Sequence, residues 1–130
     1  MANLTRSNVE DLFERRRAAW LKEDTESYLA LWAEDMLIEL PGRKEPIRGR
    51  DAYAEIVDKA FASLRPVSWE FHRLAVDGDH VLSEWTISGE VRASGKAATW
   101  RGMAICRIED GLLKEWREYW DPASLRDLQV

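Results

Sequence analysis

Cysteine is nearly absent: Cys106 stands alone in 130 residues, so no internal disulfide can form and packing must hold the fold. Histidine is almost as scarce. His72 and His80 make no cluster with Cys106 at metal-ligand spacing, and neither a metal nor a cofactor is expected. Long apolar runs are missing too, none approaching the ~20 residues that span a bilayer. The opening MANLTRSNVEDLF lacks the charged-then-apolar layout of a secretory leader, which leaves a cytoplasmic protein with no membrane partner as the expectation. Positive charge is in deficit, with Lys+Arg 19 against Asp+Glu 24 and a net charge of -5. That is the wrong sign for neutralising phosphates, so nucleic acid is not an expected partner. Seven Gly and four Pro are too few for a collagen-like or low-complexity chain.

What is present is an ordinary globular composition, 45% hydrophobic and 33% charged, without repeat or linker, and one domain over 1–130 is expected. Ser7 and Glu10 have capping-box spacing and predict a helix over about 8 to 22. Its apolar stripe is Val9, Leu12, Phe13, Ala19 and Trp20, and Arg16 falls inside that stripe. A shorter helix around 25 to 33 turns Tyr28, Leu31 and Trp32 inward, and Met36 to Leu40 reads as a strand stopped by Pro41-Gly42. Residues 43 to 50 read as loop. Tyr53, Ile56, Val57, Ala60, Phe61 and Leu64 then mark a third helix that Pro66 ends.

Four strands are predicted from there: Trp69 to Val76, His80 to Arg92, Ala97 to Ile108 and Leu112 to Trp120. Their connections, Asp77-Gly78-Asp79, Ala93 to Lys96 and Asp110-Gly111, each carry the glycine that tight hairpins need. The result is an antiparallel meander covered by three helices, an α+β domain.

This order of elements resembles the nuclear transport factor 2-like superfamily along nearly the whole chain. Three strings sharpen the likeness: Leu31-Trp32-Ala33-Glu34-Asp35, Ile47-Arg48-Gly49-Arg50-Asp51-Ala52, and the closing IEDGLLKEWREYWD from Ile108 to Asp121. The last is similar to the ending of SnoaL-like proteins and limonene epoxide hydrolases. The resemblance implies a cone-shaped, curved antiparallel sheet with three helices packed on its concave side, and a lining that holds an apolar small molecule. Independently, alternation puts Thr99, Arg101, Met103, Ile105, Arg117 and Tyr119 on the outer sheet face, and Met103, Ile105 and Tyr119 make that face apolar enough to predict a homodimer through it. It does not by itself imply one activity, because the fold hosts isomerases, cyclases, hydrolases and non-enzymes.

Strand alternation says which residues share a face, and the family's lining positions say which face looks inward. Trp116, Glu118 and Trp120 fall together, as do Trp100, Gly102, Ala104 and Cys106, and Ser83, Trp85 and Ile87. Leu37 and Glu39 join them from the first strand. Trp85, Trp100, Trp116 and Trp120 either wall a pocket or are plain core. His72 reaches the pocket only if the turn after it has the right number of loop residues.

The families' machinery is only partly present. At the positions of the ketosteroid isomerase base and its two enolate stabilisers stand Leu40, Arg16 and Ala104, with Glu39 one residue from the base position. Glu118 matches the water-activating Asp of limonene epoxide hydrolases, but Trp85 and Ile87 occupy the places of its Arg and second Asp. In SnoaL-like polyketide cyclases one acidic base near the end of the last strand suffices, which Glu118 satisfies and Asp121 could also supply. Asp121 otherwise reads as the N-cap of a short helix over 123 to 128. Glu118 and Arg16 are therefore the catalytic candidates, and Trp85, Trp100, Trp116, Trp120, Glu39, Ala104 and His72 the substrate-binding ones. Arg16 pairs with Glu118, snorkels to the surface, or faces a ligand oxygen. A non-catalytic binding module or a dimerising scaffold stands beside the enzyme reading.

Overall fold

The computed structural model describes residues 4–126. Its elements run α1 (Arg6–Leu21), α2 (Thr25–Leu29), β1 (Trp32–Glu39), β2 (Ile47–Arg48), α3 (Arg50–Ser63), β3 (Leu64–Asp77), β4 (His80–Val91), β5 (Ala97–Glu109), β6 (Leu112–Tyr119) and α4 (Ala123–Arg126). The fold is α+β, with a curved, unclosed sheet of order β2-β1-β6-β5-β4-β3 and four helices among the described residues, not three. The sheet is also mixed: β1 lies parallel to β6, while the remaining neighbours are antiparallel. The long stretch of chain between β1 and β6 makes that parallel closure possible. The fourth helix is the short one expected after Asp121, whose side chain accepts from the Ala123 N–H at 2.9 Å; residues 127 and 128 of that expectation lie outside the described residues.

Several boundaries move for local reasons. Thr5, not Ser7, caps α1, its hydroxyl accepting from the Asn8 N–H at 3.1 Å. Pro66 does not terminate α3 but sits inside β3, beside a register shift, on the sheet's edge, where a missing N–H breaks no inner ladder. The turn between β5 and β6 is the two-residue Asp110-Gly111, with φ of 53° and 77°, the left-handed pair that matches the twist of its strands.

The core lies between the concave face of the sheet and α1 to α3. Val9, Leu12 and Phe13 of α1, Tyr53 and Val57 of α3, and Trp85 and Trp116 of the sheet are all buried in one cluster. Gly102 is fixed by that packing. A Cβ there would lie 2.8 Å from the Trp85 ring and 2.8 Å from the Tyr119 carbonyl, so only glycine lets β4, β5 and β6 close around the indole.

Two expected facings are reversed. In β1 the residues turned to the core are Met36 and Ile38, with Ile38 opposite Trp116, so Leu37 and Glu39 face outward. The parallel pairing sets this: Glu39 stands beside Arg117 on the convex side and pairs with it. His72 is exposed as well. The turn after it has two loop residues, with Asp77 opposite His80, and simple alternation back from Val76 would send His72 inward. A bulge between Phe71 and Arg73 reverses the parity, so Phe71 and Trp69 turn to the core and His72 bonds Thr86 Oγ1 at 2.7 Å outside.

Candidate active site

Strand β6 alternates Trp116, Glu118 and Trp120 toward the concave side, and the two indoles clasp the carboxylate between them. Trp116 Nε1 donates to Glu118 Oε2 at 2.7 Å, and Trp120 Nε1 donates to Oε1 at 2.9 Å. Each oxygen keeps a free lone pair. Burial pushes the Glu118 carboxyl above its ordinary range, and the two indole N–H bonds and the charge of Arg16 offset only part of that.

Arg16, on the stripe of α1, is buried at 2% exposure and reaches no carboxylate among the described residues. The expected Arg16–Glu118 ion pair is not formed, and snorkelling is excluded. The guanidinium lies 4.0 Å from the centroid of Trp116, 4.7 Å from Trp69, 5.0 Å from Trp32 and 5.4 Å from Tyr28. Rings with electron-rich faces thus take the place of a counter-ion. Trp116 separates the two charges: its face meets the cation and its N–H edge meets the anion, the polarity an indole's quadrupole favours at each. Arg16 Nε and Nη2 donate to the Tyr28 hydroxyl, which bonds the Tyr53 hydroxyl at 2.9 Å. Burial opposes the guanidinium charge, but Tyr28, Tyr53 and Glu118 together hold its pKa above the ordinary value. Burial likewise drives the Tyr53 phenol well up, so it keeps its proton.

These groups border a cavity of about 220 Å³ between α1, α3 and the sheet, with Arg16, Trp20, Tyr53, Trp100, Glu118 and Trp120 in its wall. Of the residues singled out in the sequence, the structure brings Arg16, Glu118, Trp100 and Trp120 to this cavity. Trp85, Trp116 and Ala104 are buried behind it, Ala104 directly opposite Glu118 on β5. Glu39 and His72 lie on the other side of the sheet. Sequence pattern alone marks Tyr28 and Tyr53 as helix core; the one further signal is two hydroxyls on apolar helix faces with an arginine on a third. Leu40, Glu118 and Trp120 also line an outer groove beside the 40–46 loop. Among the described residues no three His, Cys, Asp or Glu side chains gather as a metal site, and no helix is long and apolar enough to cross a membrane.

Residues 9–116 match the sequence profile of the SnoaL-like domain. The chain belongs to the SnoaL-like domain family. Among solved structures, this SnoaL-like domain is similar to a Bacillus subtilis protein described as a candidate isomerase, with TM-score 0.83 and 20% identity over 93% of this chain and 91% of that one. It is also similar to an LEH-like epoxide hydrolase of M. tuberculosis, at TM-score 0.78 and 21% identity over 93% and 88% of the two chains. A third, a Catenulispora acidiphila protein of ketosteroid isomerase-like fold in complex with trimethylamine, gives TM-score 0.77 and 16% identity over 87% of each chain. At these identities the likeness is one of fold. No curated protein matches the sequence.

Proposed function

We propose that this SnoaL-like domain is a proton-transfer enzyme in which Glu118 is the general base, acting on a compact, mostly apolar molecule. The observation that carries this is a carboxylate set in an aromatic wall with both oxygens oriented by indole N–H bonds and its basicity raised by burial. Glu118 would take a proton from an activated carbon, the C–H electron pair passing into the substrate's π-system, and return the same proton at another carbon. Such a shift needs no co-reactant. Epoxide opening finds less support, since Trp85 and Ile87 are buried apolar side chains where that chemistry needs an arginine and a second acid. The size of the cavity favours a single ring: about 150 Å³ admits benzene, and 220 Å³ leaves room for little more than a substituted ring. A steroid or a polycyclic polyketide would need the cavity to widen.

The test is hydrogen exchange. A panel of compact cyclic molecules with activated C–H bonds is incubated with the protein in D₂O and followed by NMR. Exchange that wild type accelerates and Glu118→Gln does not is the expected result. Equal rates with both proteins would remove Glu118 as the base.

A homodimer through the convex face belongs to the same reading. Met103 and Tyr119 stand opposite each other on β5 and β6, 51% and 58% exposed, with Leu82 at 40%. Exposed apolar side chains on the outer strand surface suit a two-fold contact between copies.

A further inference from the structure

A guanidinium holds its N–H groups in one plane, and two of its edges each present a pair of parallel N–H groups. On Arg16 one of these edges is spent. Nε at 3.1 Å and Nη2 at 2.8 Å both donate to the Tyr28 hydroxyl oxygen. The other edge, formed by Nη1 and the second hydrogen of Nη2, is left whole, and Nη1 is buried with no partner among the described residues. Its two N–H groups have the spacing of a carboxylate's two oxygens.

Two neighbours add donors to that edge. Trp20 Nε1 and Trp69 Nε1 are also buried without partners among the described residues, and both residues line the cavity with Arg16. Trp69 touches the other two, its ring 5.9 Å from that of Trp20 and 4.7 Å from the guanidinium. A contiguous set of unspent buried donors suits a guest that brings several lone pairs to one place.

Charge points the same way. The titratable groups around the guanidinium are Tyr28 of α2, Tyr53 of α3, Cys106 of β5 and Glu118 of β6. Burial keeps the proton on the Tyr53 phenol and on the Cys106 thiol, which is pushed up to about 12, while Tyr28 accepts from the cation. Glu118 acts on Arg16 only across the Trp116 ring, without contact. Aromatic faces offset part of the cost of burying a cation, and an anion in direct contact offsets more.

We infer that the cavity takes a compact cyclic carboxylic acid in its ionised form, its carboxylate seated on the free Nη1–Nη2 edge of Arg16 beside the indole N–H groups of Trp20 and Trp69. The inference deepens the proton-transfer reading and rests on this cavity being the substrate site. The carboxylate is a permanent anchor and takes no part in the chemistry; the ring fills the rest of the 220 Å³, toward Trp100 and Trp120. A guest anion on Arg16 cancels the field with which Arg16 lowers the Glu118 pKa. The bound acid thereby raises the basicity of the group that acts on it.

Cyclohexanecarboxylate is the probe and cyclohexanecarboxamide, of the same shape without the charge, its control. In titration calorimetry wild type should bind the carboxylate at least about tenfold more tightly, and Arg16→Met should lose that preference. If Arg16→Met does not fold, proton linkage decides. Just above the Glu118 midpoint, binding of the carboxylate to wild type should take up protons, read as a heat that varies with the buffer's ionisation enthalpy, and binding of the carboxamide should not. Glu118→Gln should bind the carboxylate without uptake. Equal affinity for the two probes, a preference that survives in Arg16→Met, or failure of both to bind would overturn the inference. So would uptake that persists in Glu118→Gln, since the guest would then enter as the neutral acid. Hydrogen exchange in D₂O separates the two readings. Preference for the carboxylate with no exchange on any molecule of the panel would end the base reading and leave the anion seat standing, and exchange on neutral molecules with the carboxylate rejected would do the reverse.

Discussion

The Arg16 guanidinium donates two hydrogen bonds to one atom, the hydroxyl oxygen of Tyr28, which is itself bonded to the hydroxyl of Tyr53. A cation held by a phenol and aromatic faces rather than by a carboxylate leaves Glu118 without a salt bridge among the described residues. That freedom is what a general base near a buried positive charge requires.

The protonation of Glu118 should be visible in tryptophan fluorescence, because Trp116 and Trp120 are bonded to it. We expect a transition with its midpoint above the ordinary 4.5, absent in Glu118→Gln. Arg16→Met removes the positive charge that lowers this pKa, and methionine fills much of the volume, so the midpoint should rise further. A downward move would contradict the assigned role of Arg16.

Stability should follow the same group. A carboxyl whose folded pKa is raised contributes stability that is full below the unfolded value and is lost as pH rises through the folded value. Relative to Glu118→Gln, wild type should therefore weaken as pH climbs from about 4, and level off once Glu118 is ionised. At the acid end the Gln variant should be the weaker by about 1–3 kcal/mol, since its amide offers one acceptor oxygen to two indole N–H groups. Urea titrations of both proteins across this range test it, and a difference that stays constant with pH would count against the raised pKa.

Gly102→Ala should cost about 1–3 kcal/mol, the price of overpacking, because the new Cβ meets the Trp85 ring and the Tyr119 carbonyl, both at 2.8 Å. The damage reaches the cavity, since Trp120 Cβ is 3.1 Å from the same position. An unchanged melting temperature would show that β5 and Trp85 do not pack as described.

Sedimentation equilibrium tests the convex-face dimer. Wild type should sediment as a dimer at micromolar concentration, and Met103→Glu, which places like charges on facing copies, should yield monomer without loss of melting cooperativity. A wild-type monomer would leave the exposed Met103 and Tyr119 unexplained.

The α+β class, the helices and the long strands were legible in the sequence because each rests on local period: the stripe of α1, the face Tyr53 and Val57 share on α3, and the glycine turns between β3 and β6. So was the joint facing of Trp116, Glu118 and Trp120, since no bulge interrupts β6 between Trp116 and the Glu118–Ala104 pair. Alternation fixes who shares a face, but which face is inside depends on the neighbouring strand. Glu39 was turned out by the parallel pairing of β1 with β6, and His72 by a one-residue bulge, and neither leaves a mark in local composition. Arg16 was conspicuous as a charge on an apolar stripe, yet its partner was not. Tyr28 is 12 residues away and Tyr53 a further 25, on two other helices, and only the packing of all three against the sheet decides that the cation is met by phenols and indole faces while Glu118 stays unpaired. Local period wrote the elements; the balance of desolvation against long-range contacts, which no window of sequence contains, decided the site.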